Sequence, residues 1–192
     1  MSETDDLVAA LTPVADALRD LEVGFYVGGS IASTFHGAVR STMDVDLVCD
    51  LSQDRVDAFV AAFGRDFYVS TAAARDAVRQ CSCFNLIHMP TAYKVDVFVS
   101  RRRPFDVRAM ERAVLETIGE GPSVEVPVAT VEDSILSKLE WFRLTDETSE
   151  RQWDDVSRLV HLHGASLDRG YIWGMAQSLG VDDLLKRLLS TP

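Results

Sequence analysis

The apolar positions in the first two thirds of the chain change their spacing several times. Leu7, Leu11, Val14 and Leu18 recur at the interval of one buried helix face, which predicts an opening helix over residues 7–21. Short β-branched or alternating runs bounded by Gly, Pro or Asp indicate strands. The strands predicted in this way are 25–27, 43–49, 66–69, 83–88, 93–99 and 124–128, and helices are predicted at 30–36, 53–63 and 72–80. Residues 108–116 fit a helix and a strand equally well.

From Thr130 onward the pattern becomes helical throughout. Thr130 and Asp133 form a capping pair at the start of this region. Four helices are predicted, over residues 131–144, 149–163, 167–179 and 181–189. We therefore expect a mixed α/β (α+β) fold in which residues 1–128 form a catalytic module, a mixed sheet flanked by helices, and residues 129–192 form a helical C-terminal module.

Length and charge narrow the classes of protein. A chain of 192 residues fits one domain, or one domain with an appendage, and can bury a full core. The longest apolar runs fall short of the roughly 18 residues of a membrane helix, and the acidic start over residues 1–6 is unlike a signal peptide, so we expect a cytoplasmic protein without membrane contact. Its three cysteines are expected to be reduced and structural.

The formal net charge of −11 repels phosphate backbones at long range, which argues against a general nucleic-acid coat protein. A nucleotide or an RNA would have to be held locally, with the help of a divalent metal.

Three aspartates on two predicted strands are the main candidates for chemistry. Asp44 and Asp46 share one face of strand 43–49, with Cα atoms about 6.6 Å apart. Asp96 lies on strand 93–99, on the same face as Lys94 and Phe98. If the strands are neighbours, the carboxylates converge, and each like-charged pair at about 5 Å costs about 3 kcal/mol. Mg²⁺ or Mn²⁺ would relieve that cost; the alternative is that these are solvated strand residues without a metal.

Gly28 and Gly29 follow the first strand and precede a helix. Glycines let the backbone approach a ligand closely, and the N–H groups at a helix N-terminus attract phosphate. Ser30 is predicted to cap that helix. The order of elements therefore predicts a phosphate-binding turn beside the aspartates.

These motifs together resemble a known superfamily. Gly28–Gly29–Ser30, the Asp44-x-Asp46 pair and Asp96 are similar to the three signature elements of the DNA polymerase β-type nucleotidyltransferases. More narrowly, GGSIASTFHGAVRSTMDVDLV, EDSILSKLEWFR and SERQWDDV resemble the AbiEii-type nucleotidyltransferases, which are related to abortive-infection toxins. The similarity spans about residues 24–189.

The resemblance implies a reaction and roles for the aspartates. A nucleoside monophosphate would be transferred from an NTP to an acceptor, with release of pyrophosphate. Asp44 and Asp46 would hold two Mg²⁺ ions, and Asp96 would bind one of them and help to orient or deprotonate the acceptor hydroxyl. Ser30 and the amides of Gly28 and Gly29 would hold the triphosphate.

The resemblance also points to the helical module. Lys138 falls at the edge of an apolar helix stripe and would contact the triphosphate, while Asp155 would anchor or orient Lys138. The alternative is an extended surface lysine and an exposed aspartate. Arg40 could meet a nucleotide phosphate or pair with the nearby acids. Arg101–Arg103 could contact phosphate or form a solvated turn, and the four histidines are expected to be structural or on the surface.

Several alternatives stay open at the level of sequence. The acceptor could be tRNA, a protein hydroxyl or a small molecule such as an aminoglycoside. A toxin role, with an antitoxin as a separate chain, would follow from the family likeness alone. The rival function is a catalytically silent nucleotide-binding or protein-interaction module on the same fold.

Overall fold

A computed structural model describes residues 2–38 and 42–190. The helices in these ranges are α1 (Glu3–Asp20), α2 (Gly29–Phe35), α3 (Val56–Ala61), α4 (Thr71–Gln80), α5 (Pro104–Arg112), α6 (Val131–Leu144), α7 (Glu150–His163), α8 (Arg169–Leu179) and α9 (Asp182–Leu189). The strands are β1 (Phe25–Val27), β2 (Asp44–Cys49), β3 (Phe67–Val69), β4 (Cys83–His88), β5 (Tyr93–Val99), β6 (Val114–Ile118) and β7 (Val124–Val128).

The strands form one mixed sheet in the order β3-β4-β5-β2-β1-β7-β6. β2 pairs in parallel with β5, and β1 in parallel with β7, whereas the other neighbours are antiparallel. Alternation along β2 buries Val45, Leu47 and Cys49 on one face and turns Asp44 and Asp46 to the other. The apolar face is covered by α1 and α4, and the predicted mixed α/β fold is confirmed.

The four C-terminal helices lie together on the acidic side of the sheet. α6 follows β7 after two residues, and the Thr130 hydroxyl accepts a hydrogen bond from the Asp133 amide, which is the predicted cap. α6 packs against α2, α7 and α8. None of the helices in the described residues is both long and apolar enough to cross a membrane.

Two local predictions need correction. α2 begins at Gly29 with Gly28 as its N-cap, so Ser30 lies in the first turn and does not cap the helix. The ambiguous segment 108–116 is divided between the end of α5 and the start of β6. The division falls at Ala113 because helical spacing from Phe105 to Ala109 gives way there to an edge strand.

Candidate active site

The three aspartates converge on one face of two adjacent strands. In the parallel pair of β2 and β5, Asp46 is the direct partner of Asp96, and Asp44 is the direct partner of Lys94. Partner residues on adjacent strands project to the same face of a sheet. All four side chains therefore rise from the same face of the sheet. The strands are neighbours, which was the condition for the predicted convergence of the three carboxylates.

The turn between β1 and α2 lies directly against Asp46. The Gly28 amide donates to the Asp46 backbone carbonyl at 2.9 Å, and the Ser30 amide donates to the Asp46 carboxylate. Gly29 has a φ of +56°, and a Cβ built on it would lie 1.7 Å from Asp46 Oδ2. Only glycine meets both demands, because its φ is in the left-handed region and its Cα touches a carboxylate.

The surroundings of Asp46 disfavour its negative charge. Burial raises the pKa of this carboxyl above its ordinary value, and repulsion from Asp96 and, less strongly, from Asp44 raises it further. Lys138 and the Ser30 amide act in the opposite direction but do not cancel the effect. A cation bound here would be attracted to the three aspartates and would lower the pKa of Asp46 again.

Lys94 lies within the acidic cluster, and sequence reasoning gave it no role. Its Nζ lies 2.8 Å from Asp96 Oδ2 and 3.4 Å from Asp44 Oδ1. Its place on the same face as Asp96 was visible in the alternation of strand 93–99, but its contact with Asp44 depends on strand pairing. Residues 2–38 and 42–190 contain no group of three or more acidic, histidine or cysteine side chains arranged to hold a metal ion.

Lys138 and Asp155 form a buried ion pair on the helices that face the sheet. Lys138 Nζ on α6 lies 2.7 Å from Asp155 Oδ2 on α7, and both residues are buried. Neither is the exposed surface residue of the alternative interpretation. Lys138 and Asp155 line the same cleft as Asp44 and Asp46, and the charge of Lys138 lowers the pKa of Asp46.

A cleft of about 650 Å³ separates the sheet from α6 and α7. Its size falls in the range that binds small ligands. Its lining includes Gly28, Gly29, Ser30, Asp44, Asp46, Lys138 and Asp155. Asp96 is not among the lining residues, and its carboxylate is paired with Lys94. Sequence reasoning did not identify Arg151 and Trp141, which line the outer part of the cleft and are exposed.

The remaining basic and histidine candidates have different positions. Arg101 and Arg103 both line the cleft, where Arg103 is held by Asp106 and Glu140, whereas Arg102 pairs with Asp50. Arg40 lies outside the described residues.

His36 and His163 connect backbone segments. His36 Nε2 lies 2.7 Å from the Ala129 carbonyl oxygen, and His163 Nε2 lies 2.8 Å from the carbonyl oxygen of His36.

Two solved structures share this fold. The solution structure of the antibiotic-resistance factor ANT(2'')-Ia has a TM-score of 0.50 and 12% sequence identity, over 94% of this chain and 95% of that one. A crystal structure of an antigenic nucleotidyltransferase-like protein from Paracoccidioides brasiliensis has a TM-score of 0.54 and 16% identity, over 96% of this chain and 92% of that one.

The sequence matches no protein-family model and no curated protein. At such low identities the structural likeness establishes the fold, which is that of nucleotidyltransferases. The likeness supports the predicted fold, whereas the narrower AbiEii-type resemblance is not confirmed.

Proposed function

We propose that the protein transfers a nucleoside monophosphate from an NTP to an acceptor hydroxyl with the help of Mg²⁺ or Mn²⁺. One observation carries this proposal: Asp46 and Asp96 are direct partners on parallel strands, and the Gly28–Gly29–Ser30 turn touches Asp46. Three neighbouring carboxylates repel one another, which destabilises the fold, so such a cluster beside a cleft indicates a binding site more than a structural role.

The donor chemistry of the cluster fits a divalent cation. Carboxylate oxygens are the ligands that Mg²⁺ and Mn²⁺ prefer, and the raised pKa of Asp46 reports negative charge that the protein alone leaves poorly compensated. Asp44, Asp46 and Asp96 are the residues that would hold the metal. When bound, the metal would neutralise charge on the phosphates and on the attacking and leaving oxygens.

The chain itself would position the triphosphate. Gly28, Gly29 and Ser30 line the cleft at the start of α2. The Gly28 and Ser30 amides already donate to Asp46, so the Gly29 amide and the Ser30 hydroxyl would be the contacts for phosphate oxygens. Lys138 would contact the triphosphate from the opposite wall, with Asp155 fixing its orientation at 2.7 Å. Arg40 remains a prediction from the sequence, either as a phosphate contact or as a partner of the nearby acids.

The reaction itself is a displacement at phosphorus. The acceptor oxygen would form a bond to the α-phosphorus of the NTP while the bond from that phosphorus to the pyrophosphate oxygen breaks. Asp96 would orient the acceptor hydroxyl and take its proton, and pyrophosphate would leave. Positioning and charge compensation, rather than covalent chemistry by the protein, would supply most of the rate.

Three exposed residues of the cleft support an acceptor with an anionic and a flat group, such as the end of an RNA, whereas the formal net charge of −11 favours a small molecule. Arg101 and Arg151 line the cleft and are exposed. Trp141 lies beside Phe98 with ring centroids 6.0 Å apart and offers a stacking surface. The opposing acids Asp106 and Glu140 are already paired with Arg103.

Two further predictions from the sequence remain proposals. One is a toxin role with an antitoxin as a separate chain. The other is the division of the chain into a catalytic module, residues 1–128, and a helical C-terminal module, residues 129–192.

The decisive experiment incubates the protein with each α-labelled NTP, Mg²⁺ and separate acceptors, namely total tRNA, a cell-lysate protein fraction and an aminoglycoside panel. We expect label in one acceptor, an equal amount of pyrophosphate and loss of both with EDTA. Nucleotide binding by calorimetry without pyrophosphate release from any NTP and acceptor pair would identify the silent binding module instead.

A further inference from the structure

Lys94 lies among the three aspartates and contacts two of them, at the place where a metal ion would otherwise bind between their carboxylates. The register of β2 and β5 places two residues from each strand at four corners: Asp44 opposite Lys94, and Asp46 opposite Asp96. The strand partners alone account for three carboxylates and one ammonium group on a single patch. The patch therefore already contains a cation supplied by the chain.

The ammonium group bridges two carboxylates from different strands. It lies 2.8 Å from Asp96 on its own strand and 3.4 Å from Asp44 on β2. The contact with Asp96 is a charge-assisted hydrogen bond, and Asp96 is not among the residues that line the cleft, whereas Asp44 and Asp46 are. Within the described residues the three carboxylates are not arranged as a ready-made metal site, and the Lys94 ammonium group contacts two of them.

The Lys94 side chain has room to leave this position. It is 38% exposed, whereas the Asp96 side chain that it covers is 17% exposed. Four methylene groups allow the ammonium group to reach solvent without movement of the strand. Release would free one oxygen of Asp96 and one of Asp44 at the same time.

We propose that Lys94 is a built-in counter-cation that bridges Asp44 and Asp96 in the metal-free protein and is displaced when a divalent ion binds. This inference depends on the proposed metal-dependent function and assigns to it a residue that competes with the metal. In the metal-free protein Lys94 would reduce the repulsion between the carboxylates and so stabilise the fold. Because a metal ion would have to displace it, Lys94 would also weaken metal binding.

The first test measures Mn²⁺ affinity by calorimetry without nucleotide. Lys94→Met keeps the aliphatic stem and removes the charge, Lys94→Arg keeps the charge, and Lys186→Met changes an exposed lysine on the distant helix α9. We expect the Mn²⁺ dissociation constant to fall at least about tenfold in Lys94→Met and to stay within about threefold of wild type in the other two. Thermal unfolding without metal should show a lower Tm for Lys94→Met and a larger rise in Tm on adding Mn²⁺.

The second test reports displacement directly. The chain contains three lysines, Lys94, Lys138 and Lys186, so low-dose acetylation followed by mass spectrometry resolves each one. Saturating Mg²⁺ should speed acetylation of Lys94 at least about threefold, because a paired ammonium group reacts slowly, while Lys186 stays unchanged.

The outcomes separate this inference from the proposed function. Wild-type Mn²⁺ binding with unchanged or weaker affinity in Lys94→Met, or with unchanged Lys94 acetylation, would overturn the role of Lys94 and leave the proposed activity standing. If neither wild type nor Lys94→Met bound Mn²⁺, with or without NTP, both the metal-dependent activity and this role of Lys94 would be wrong.

Discussion

Asp133 and Asp46 differ in how the protein satisfies a desolvated carboxylate. Asp133 is buried and accepts hydrogen bonds from the hydroxyls of Thr130 at 2.6 Å and Tyr171 at 2.5 Å, with Arg112 at 3.5 Å. Asp46 accepts from the Ser30 amide and faces two other aspartates. Desolvation raises the pKa of both carboxyls, so the pKa shift alone does not distinguish them.

The difference lies in the partners. Asp133 links α6 to α8, where the guanidinium of Arg112 also lies 3.9 Å from the Tyr171 ring centre, and its donors come from the protein. Asp46 lines the cleft, and its neighbours include the carboxylates of Asp96 and Asp44, whereas the neighbours of Asp133 include two hydroxyl donors. A desolvated acid that the protein satisfies fully is a structural element, whereas one left with like charges beside a cavity indicates a binding site.

The substitution Asp46→Asn should separate the two roles most strongly. It removes a proposed metal ligand, so we expect nucleotidyl transfer to fall about 1,000-fold. The free energy of unfolding in metal-free buffer should stay the same or rise, because like-charge repulsion is lost. Transfer kinetics and urea unfolding measure the two effects; wild-type kinetics, or an unfolded variant, would contradict the site role.

Gly29→Ala tests the contact between the turn and Asp46. The new Cβ would overlap Asp46 Oδ2 and occupy a backbone with a φ of +56°, so Asp46 must move. We expect transfer to fall about 100-fold, since displacements of about 1 Å have effects of this size. Gly174→Ala is the matched control: it lies in α8 with nothing near its Cβ position and should be neutral or slightly stabilising.

Asp133→Ala should show the reverse pattern of Asp46→Asn. The hydroxyls of Thr130 and Tyr171 and the Arg112 guanidinium would lose their common acceptor, so we expect a loss of about 2–3 kcal/mol in the free energy of unfolding. Transfer by the folded fraction should stay within about threefold of wild type. A large loss of transfer at full stability would show that Asp133 belongs to the site.

Lys138→Met should affect nucleotide binding while disturbing the buried pair. Loss of a charge-assisted contact to phosphate predicts a rise of about tenfold in the NTP KM. Asp155 would lose its 2.7 Å partner, so some stability should also be lost. The double variant Lys138→Met with Asp155→Asn should recover stability but not the KM; recovery of both would restrict the pair to a structural role.

The smallest effect is a pH-dependent difference in stability. The pKa of Asp46 is higher in the folded protein than its ordinary value of 3.8, which applies to the unfolded chain. The stability that the protonated Asp46 contributes is therefore fully present below pH 3.8 and is lost as the pH rises through the pKa of the folded state. The Tm of Asp46→Asn minus that of wild type should therefore be near zero at low pH and increase as the pH rises above about 4. A constant difference from pH 3 to pH 7 would contradict the assigned shift, and saturating Mg²⁺ should abolish the increase.

Much of the fold could be predicted because its signals are local. The strand bounds 25–27, 83–88, 93–99 and 124–128 agree with the structure, since alternation and turn residues mark them. Where two patterns met, as at residues 108–116, local signals were insufficient. Ser30 was assigned the wrong role because the helix starts at Gly29, which has a positive φ, two residues earlier than a cap at Ser30 would require.

The sequence by itself determined which residues share a strand face: Asp44 with Asp46, and Lys94 with Asp96, because side chains on a strand alternate with a period of two. The tertiary structure decided that β2 and β5 are parallel neighbours in a register that pairs Asp46 with Asp96. It also decided that Lys94 bridges the cluster and that Lys138 and Asp155 are buried together. Strand order, register and helix packing depend on contacts between residues far apart in the chain, and the periodicity of one segment carries no information about its partner.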